Sequence, residues 1–239
     1  MKFGGRHCRP LWLGLLLLGD LTLTAQGVSV TAQIERVSPS SKKASAEGVV
    51  LWLVPISGSV ASTSATRVRA RLLQKDKQFH PHLLVVPAGT GVDFPNRDPF
   101  FHNVFSLFEG KRFDLGLYEA GTSRTVHFDR PGISYIFCNI HPQMSAVVIA
   151  LKTPYYATAD MKGTVVLSGV PPGRYRMEVW AEGASAATLE NLSREVTVGD
   201  SSASLGKIRV PDLKIGSTHT NKYGREYEPP PSNTPYDHP

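Results

Sequence analysis

Cysteine is nearly absent from this chain: 239 residues carry two, Cys8 and Cys138. So few cysteines over this length exclude a fold framed by disulfides. Long apolar runs are missing too. The longest, Leu11 to Leu18, is too short to span a bilayer. No long stretch repeats with the helical period, so an all-helical fold is excluded. Charge is sparse, at 19% Asp, Glu, Lys and Arg, with a formal excess of +6. Without residues 1–25, the 26 basic and 20 acidic side chains fall to 23 and 19. A scattered excess of that size does not point to a nucleic-acid partner. What remains is ordinary globular composition, 41% apolar, with length for one large domain or two small ones.

The N-terminus reads as an export signal over residues 1–25. Lys2, Arg6 and Arg9 precede the Leu11–Leu18 run, and Thr24-Ala25 supplies small residues for cleavage. Leu23 is a poor residue at the −3 position, so a retained anchor is the alternative reading. No lipobox precedes Cys8. Cleavage would give a secreted or periplasmic protein with no membrane span and one thiol, Cys138. A single thiol has no internal partner, and outside the cytoplasm it oxidises unless something occupies it.

The rest of the chain alternates like a β protein. Val28 to Ile34 and Gly48 to Val54 read as strands, the second more buried, separated by a Ser/Lys-rich loop from Ser38 to Ala46. Ser57 to Thr66 is a small-residue linker or hairpin arm. Six strands follow: Leu83–Val86, Gly91–Phe94, His102–Leu107, Arg124–Phe128, Gly132–Cys138 and Ala146–Leu151. Gly, Pro, Asn and Asp punctuate them, as in Pro95-Asn96-Arg97-Asp98-Pro99. Beyond Pro154, a turn at Ala159–Gly163 and strands at Thr164–Leu167, Arg174–Val179, Arg194–Val198 and Leu205–Val210 are expected. Residues 212–239, with three consecutive prolines, read as a disordered tail.

One segment stands apart from this β pattern. Cys138-Asn139-Ile140-His141-Pro142-Gln143-Met144 places a thiol, an imidazole and a thioether on one tight loop, with His102 36 residues earlier. A thiolate, two imidazoles and a weak thioether are the donors of a mononuclear blue-copper site, and zinc rarely accepts methionine. A buried structural thiol is the bland reading of Cys138 taken alone, and a satisfied core histidine that of His102. His141 and Met144 at +3 and +6 turn the balance toward a metal. His102 is then the best-placed donor from a neighbouring strand. Asn103 either hydrogen-bonds across to the ligand loop, steadying the thiolate, or simply caps a turn.

On these residues the stretch 79–152 resembles a cupredoxin, nearest the amicyanin and plastocyanin group. Val92-Asp93-Phe94-Pro95-Asn96, His102-Asn103-Val104 and the short Cys138-x-x-His141-x-x-Met144 loop carry the resemblance. It implies a Greek-key β-sandwich over about 66–153. One copper would cycle between Cu(I) and Cu(II) on His102, Cys138, His141 and Met144. It further implies an electron carrier rather than an enzyme, with redox partner proteins such as a dehydrogenase or a cytochrome docking near His141. Pro99, Phe100, Phe101 and Pro142 either line that docking patch or pack in the ordinary way. Copper handling or sensing is the alternative function, although such proteins favour Met-rich or multiple-His sites and four methionines occur here. His80-Pro81-His82 either opens a strand or holds a weak surface metal. Copper nitrite reductases need further catalytic histidines, and His80, His82, His127, His219 and His238 form no obvious set.

Residues 158–180, from Thr158 to Trp180 through Val170-Pro171-Pro172-Gly173, resemble carboxypeptidase-regulatory-like, transthyretin-like β domains. In that family two strands like 28–34 and 48–54 come first. The expected organisation is therefore all-β. A discontinuous module from residues 28–57 and 155–211 would have the cupredoxin inserted in it, with two modules in tandem as the alternative. The resemblance implies a structural or partner-binding role for this module.

Overall fold

The computed structural model describes residues 1, 27–37, 45–57, 69–107, 110–211 and 219–227. All but the first residue of the expected export signal, most of the Ser/Lys-rich loop and most of the 57–66 stretch lie outside the described residues. So do 212–218 and 228–239 of the expected tail. In chain order the first strands are β1 (Val28–Val37), β2 (Val50–Pro55), β3 (Ala70–Arg71), β4 (Leu73–Lys75), β5 (Gln78–His80) and β6 (Leu83–Pro87). There follow β7 (Thr90–Pro95), β8 (His102–Ser106), β9 (Phe113–Tyr118), β10 (Ser123–Phe128), β11 (Gly132–Cys138) and β12 (Ser145–Leu151). The last are β13 (Tyr156–Thr158), β14 (Thr164–Val170), β15 (Gly173–Trp180), β16 (Arg194–Val198) and β17 (Ala203–Pro211). A short helix, α1 (Ala186–Leu192), joins β15 to β16. The protein is all-β, as its alternating segments require.

Among the described residues two sheets come from the chain ends and three from its middle, the smallest of these being the β4-β5 pair. The orders β14-β1-β17 and β13-β2-β15-β16 face each other across one core. Strand β1 supplies Val30, Ala32 and Ile34 to it, every second residue, with Thr31 and Gln33 facing away. Strands β2 and β15 add Leu51, Leu53, Tyr175, Met177 and Val179. In the middle, β10-β7-β3 packs against β6-β12-β11-β8-β9 over a second core. That core contains Phe94, Val104, Phe128, Ile136, Cys138 and Met144.

A third cluster joins the two sandwiches and explains the least polar runs of the sequence. Strand β12 sends Ala146, Val148 and Ala150 into the middle core, and Val147, Ile149 and Leu151 out of its other face. Those outward residues meet Val50 and Trp52 of β2 and Trp180 of β15. A strand covered on both faces has no polar positions, so Ala146–Leu151 and Val49–Val54 read as unbroken apolar stretches instead of alternating ones. Polar contact supplements this seam. His82 places Nε2 2.8 Å from a Glu182 carboxylate oxygen and Nδ1 3.0 Å from the Ser145 carbonyl.

The Ala159–Gly163 turn forms as its composition requires. Asp160 accepts hydrogen bonds from the N–H groups of Lys162 and Thr164. Gly163, at φ +82°, approaches the Ile34 carbonyl so closely that a Cβ would lie 2.2 Å from it. Strand β9 was not expected, because Leu115, Gly116 and Leu117 show neither the β-branching nor the alternation that marks the other strands.

Two outcomes test this packing. Ile149→Ala should cost about 2–5 kcal/mol in urea unfolding, since it opens a cavity in a seam closed on both sides. His82 is held above its usual 6.5, chiefly by the Glu182 hydrogen bond, with burial opposing and the Glu182 charge and Ser145 carbonyl adding to it. A raised histidine stabilises the fold fully below the unfolded value and loses that contribution as pH climbs through the raised one. Glu182→Gln should therefore lower the urea midpoint at about pH 5.5 and leave it unchanged at about pH 9, the half-exposed pair being worth at most about 1 kcal/mol.

Candidate metal centre

His102 opens β8 and Cys138 ends β11, and these strands pair antiparallel with Cys138 opposite Val104. That register sets two residues far apart in sequence side by side. The Cys138 sulfur lies 3.6 Å from His102 Nδ1 and 3.5 Å from His141 Nδ1. One donor atom from each of the three residues falls within 4.8 Å of the others. The two imidazole rings meet edge to face, centroids 4.8 Å apart. His102 and Cys138 are fully buried and His141 is half-buried.

Backbone hydrogen bonds shape the loop between Cys138 and Met144. Met144 N–H donates to the His141 carbonyl at 3.0 Å, and Cys138 N–H donates to the Met144 carbonyl at 3.2 Å. The chain thus folds back so that Met144, 0% exposed, enters the same core as Cys138. At the other end, Asn139 N–H donates to the Asn103 carbonyl at 2.8 Å.

Electrostatics favour neutral imidazoles and a guarded thiol. Burial raises the Cys138 thiol above its usual value, while backbone N–H groups of Ile140, Asn103 and His141 aimed at the sulfur work against that rise. Burial pushes His141 down to about 4, with the charges of His102 and Lys77 adding to the effect. His102 is likewise lowered by burial, against the pull of Asp98. Neutral nitrogens and a sulfur ringed by donors are what a soft, thiolate-binding cation requires.

Asp98, read in the sequence as loop punctuation alone, orients His102. Its carboxylate lies 2.8 Å from His102 Nε2, leaving Nδ1 turned toward the sulfur. The same carboxylate accepts the N–H groups of Asp76 at 2.6 Å and Lys77 at 3.1 Å, both at positive φ in the β4–β5 turn. Burial pushes the Asp98 carboxyl up, but these three hydrogen bonds hold it below its ordinary value. Asn96 braces the loop, donating to the Phe100 carbonyl at 2.7 Å and accepting from Asp98 N–H at 3.0 Å. Only Asp98's place four residues before His102 hints at this, in a stretch whose Pro and Asn already account for a loop.

The side chain of Asn103 does not reach the ligand loop as expected. It donates to Asp114 of β9 at 2.6 Å, because β8 and β9 are adjacent and Asn103 faces that neighbour. The link to the loop runs through the Asn103 backbone instead. Of the expected surface patch, Phe100 packs against both imidazoles, at 5.4 and 5.5 Å between centroids. Pro99, Phe101 and Pro142 are exposed, as is Ile140. His80 and His127 are exposed, whereas both ring nitrogens of His82 are engaged away from His80.

The expected disorder of residues 212–239 fails for 219–227. Tyr227 donates its hydroxyl proton to the Cys138 carbonyl at 2.7 Å, and His219 stacks on Phe137 with centroids 4.1 Å apart. Polar composition suggested disorder, but the two aromatic rings find cover on β11.

No family model matches the chain, and no curated protein does. Solved structures with a similar local fold include a copper-containing nitrite reductase from Thermus scotoductus SA-01 (22% identity, TM-score 0.34), covering 41% of this chain and 25% of the reductase. This chain therefore matches about a quarter of that enzyme's length. A purple cupredoxin from Nitrosopumilus maritimus is 23% identical, with a TM-score of 0.32, over 34% of this chain and 99% of its own. Amicyanin from Paracoccus versutus is 20% identical, with a TM-score of 0.32, over 41% and 97%.

Asp98→Asn tests the brace. The amide can no longer accept all three hydrogen bonds, so the metal-free protein should lose about 1–3 kcal/mol in urea unfolding.

Proposed function

We propose that this chain is a type 1 copper protein carrying single electrons between extracytoplasmic redox partners. The observation behind this reading is the convergence of a buried, unpaired thiol with two neutral imidazole nitrogens on one point of a rigid sandwich. In this reading His102, Cys138 and His141 hold the ion and Met144, folded back against Cys138, is the weak fourth donor. Copper bound there supplies one-electron chemistry through its Cu(I)/Cu(II) couple.

The chain's own residues would serve that chemistry by keeping still. Asp98 fixes the His102 ring, and the N–H groups around Cys138 favour the thiolate. The β8–β11 pairing would keep His102 and Cys138 in place when charge changes. His141, half-buried, packed against Phe100 and bonded in the chain to the exposed Ile140 and Pro142, gives the site a route to the surface. An apolar rim there suits a redox partner such as a cytochrome or a dehydrogenase that docks and separates quickly.

Around this carrier we place a second β module of the transthyretin-like kind, from residues 28–57 and 155–211, with 66–153 inserted. The separate cores on either side of the Ile149 seam support this division. The N-terminal pattern supports export. Among the described residues no helix is long and apolar enough to cross a membrane.

Adding Cu(II) to the mature protein should produce an intense blue or green band that ascorbate bleaches. Copper uptake without such a band would remove Cys138 from the ligand set and refute the carrier reading. Cys138→Ser should abolish the band, whereas Met144→Leu should keep it and shift the reduction potential upward, since the oxidised ion loses a donor.

A further inference from the structure

Residues 219–227 make an ordered structure of their own beside the site. Asn221 organises a turn, its side-chain oxygen accepting the N–H groups of Tyr223 at 3.0 Å and Arg225 at 3.1 Å. Its backbone N–H donates to the Arg225 carbonyl at 2.8 Å. The Tyr227 hydroxyl oxygen lies 3.2 Å from His219 Nδ1, closing the segment on itself. Its contacts with the rest of the protein concentrate on three consecutive residues. His219 covers Phe137, Tyr227 binds the Cys138 carbonyl, and Lys222 N–H donates to the Asn139 side chain at 2.9 Å. The Lys222 ammonium also donates to Asp114 at 2.8 Å, the carboxylate that holds Asn103.

The consequence falls on one peptide bond. Between Cys138 and Asn139, the C=O accepts from Tyr227 and the N–H donates to Asn103. A peptide unit is rigid and planar, so holding both of its ends fixes its rotation. That rotation sets the direction in which Cys138 leaves the strand and the loop's N–H groups face its sulfur.

We propose that residues 219–227 are a strap that positions the cysteine end of the ligand loop, with Tyr227 as its positioning residue. The proposal rests on the reading of Cys138 as a copper ligand for its functional meaning. The strap itself is a property of the metal-free chain. Its hydroxyl also turns the positive end of an O–H dipole toward the peptide that carries the thiolate. That dipole favours the more negative, reduced state of the site.

The test uses full-length mature protein carrying Tyr227→Phe, and the double variant Lys222→Met/Tyr227→Phe. In the metal-free protein, the Asn139 amide should exchange with deuterium about tenfold faster in Tyr227→Phe, while amides in the β11–β12 ladder keep their rates. The double variant should exchange faster still. With copper added, both variants should keep the visible band at a lower reduction potential than the parent. Unchanged Asn139 exchange in both variants would overturn the strap. Faster exchange with an unmoved potential would reduce it to packing and overturn the positioning role. Faster exchange in a protein whose parent takes up copper without colour would uphold the strap and refute the copper reading instead.

Discussion

Strands β8 and β11 lie antiparallel in the middle of a five-stranded sheet, and the register between them governs the site. With Phe137 opposite Phe105 and Cys138 opposite Val104, the end of one strand meets the beginning of the other. His102 and Cys138 cannot separate without breaking that ladder. A slip of one residue would turn Cys138 out of the core and carry Phe137 into it. Everything around the pair maintains this register. Asp98 fixes the histidine ring from the β4–β5 side, Met144 closes the loop from β12, and the strap holds the peptide after the cysteine.

The same register decides the chemistry. A thiol this deep is normally inert, because burial favours the protonated form. Here burial delivers it to two imidazoles that burial has also kept neutral, beside N–H groups that favour negative charge on sulfur. Each group alone is held away from its charged state, and together they form a donor set for a cation. The outer sandwich adds rigidity from behind. Strand β12, whose residues Ser145 and Ala146 follow Met144 directly, is clamped between two cores.

Much of this was legible in the chain. The alternation of Val28–Ile34 announced a half-buried strand, and Asp160 with Gly163 announced a turn, because each obeys a local rule. The Cys138, His141 and Met144 spacing was visible because a loop of seven residues has few ways to arrange them. Other features left no local trace. Asp98 looks like any loop aspartate, since its meaning lies in a turn 22 residues earlier in sequence. Asn103 faces β9, a strand whose Leu-Gly-Leu centre carries no β signal. The polar stretch 219–227 reads as disorder until β11 offers its aromatic residues a surface.

The sequence by itself determined the donor types, the β alternation and the apolar character of Val49–Val54, because these depend on which residues stand near one another along the chain. Tertiary structure alone decided that His102 meets Cys138, that Asp98 turns the His102 ring, and that Tyr227 grips the peptide after the cysteine. Those contacts join residues 36, 4 and 89 positions apart. Even the shortest depends on where the β4–β5 turn comes to rest. Strand register and sheet stacking set these distances, and both are settled by the burial of whole faces rather than by any short segment.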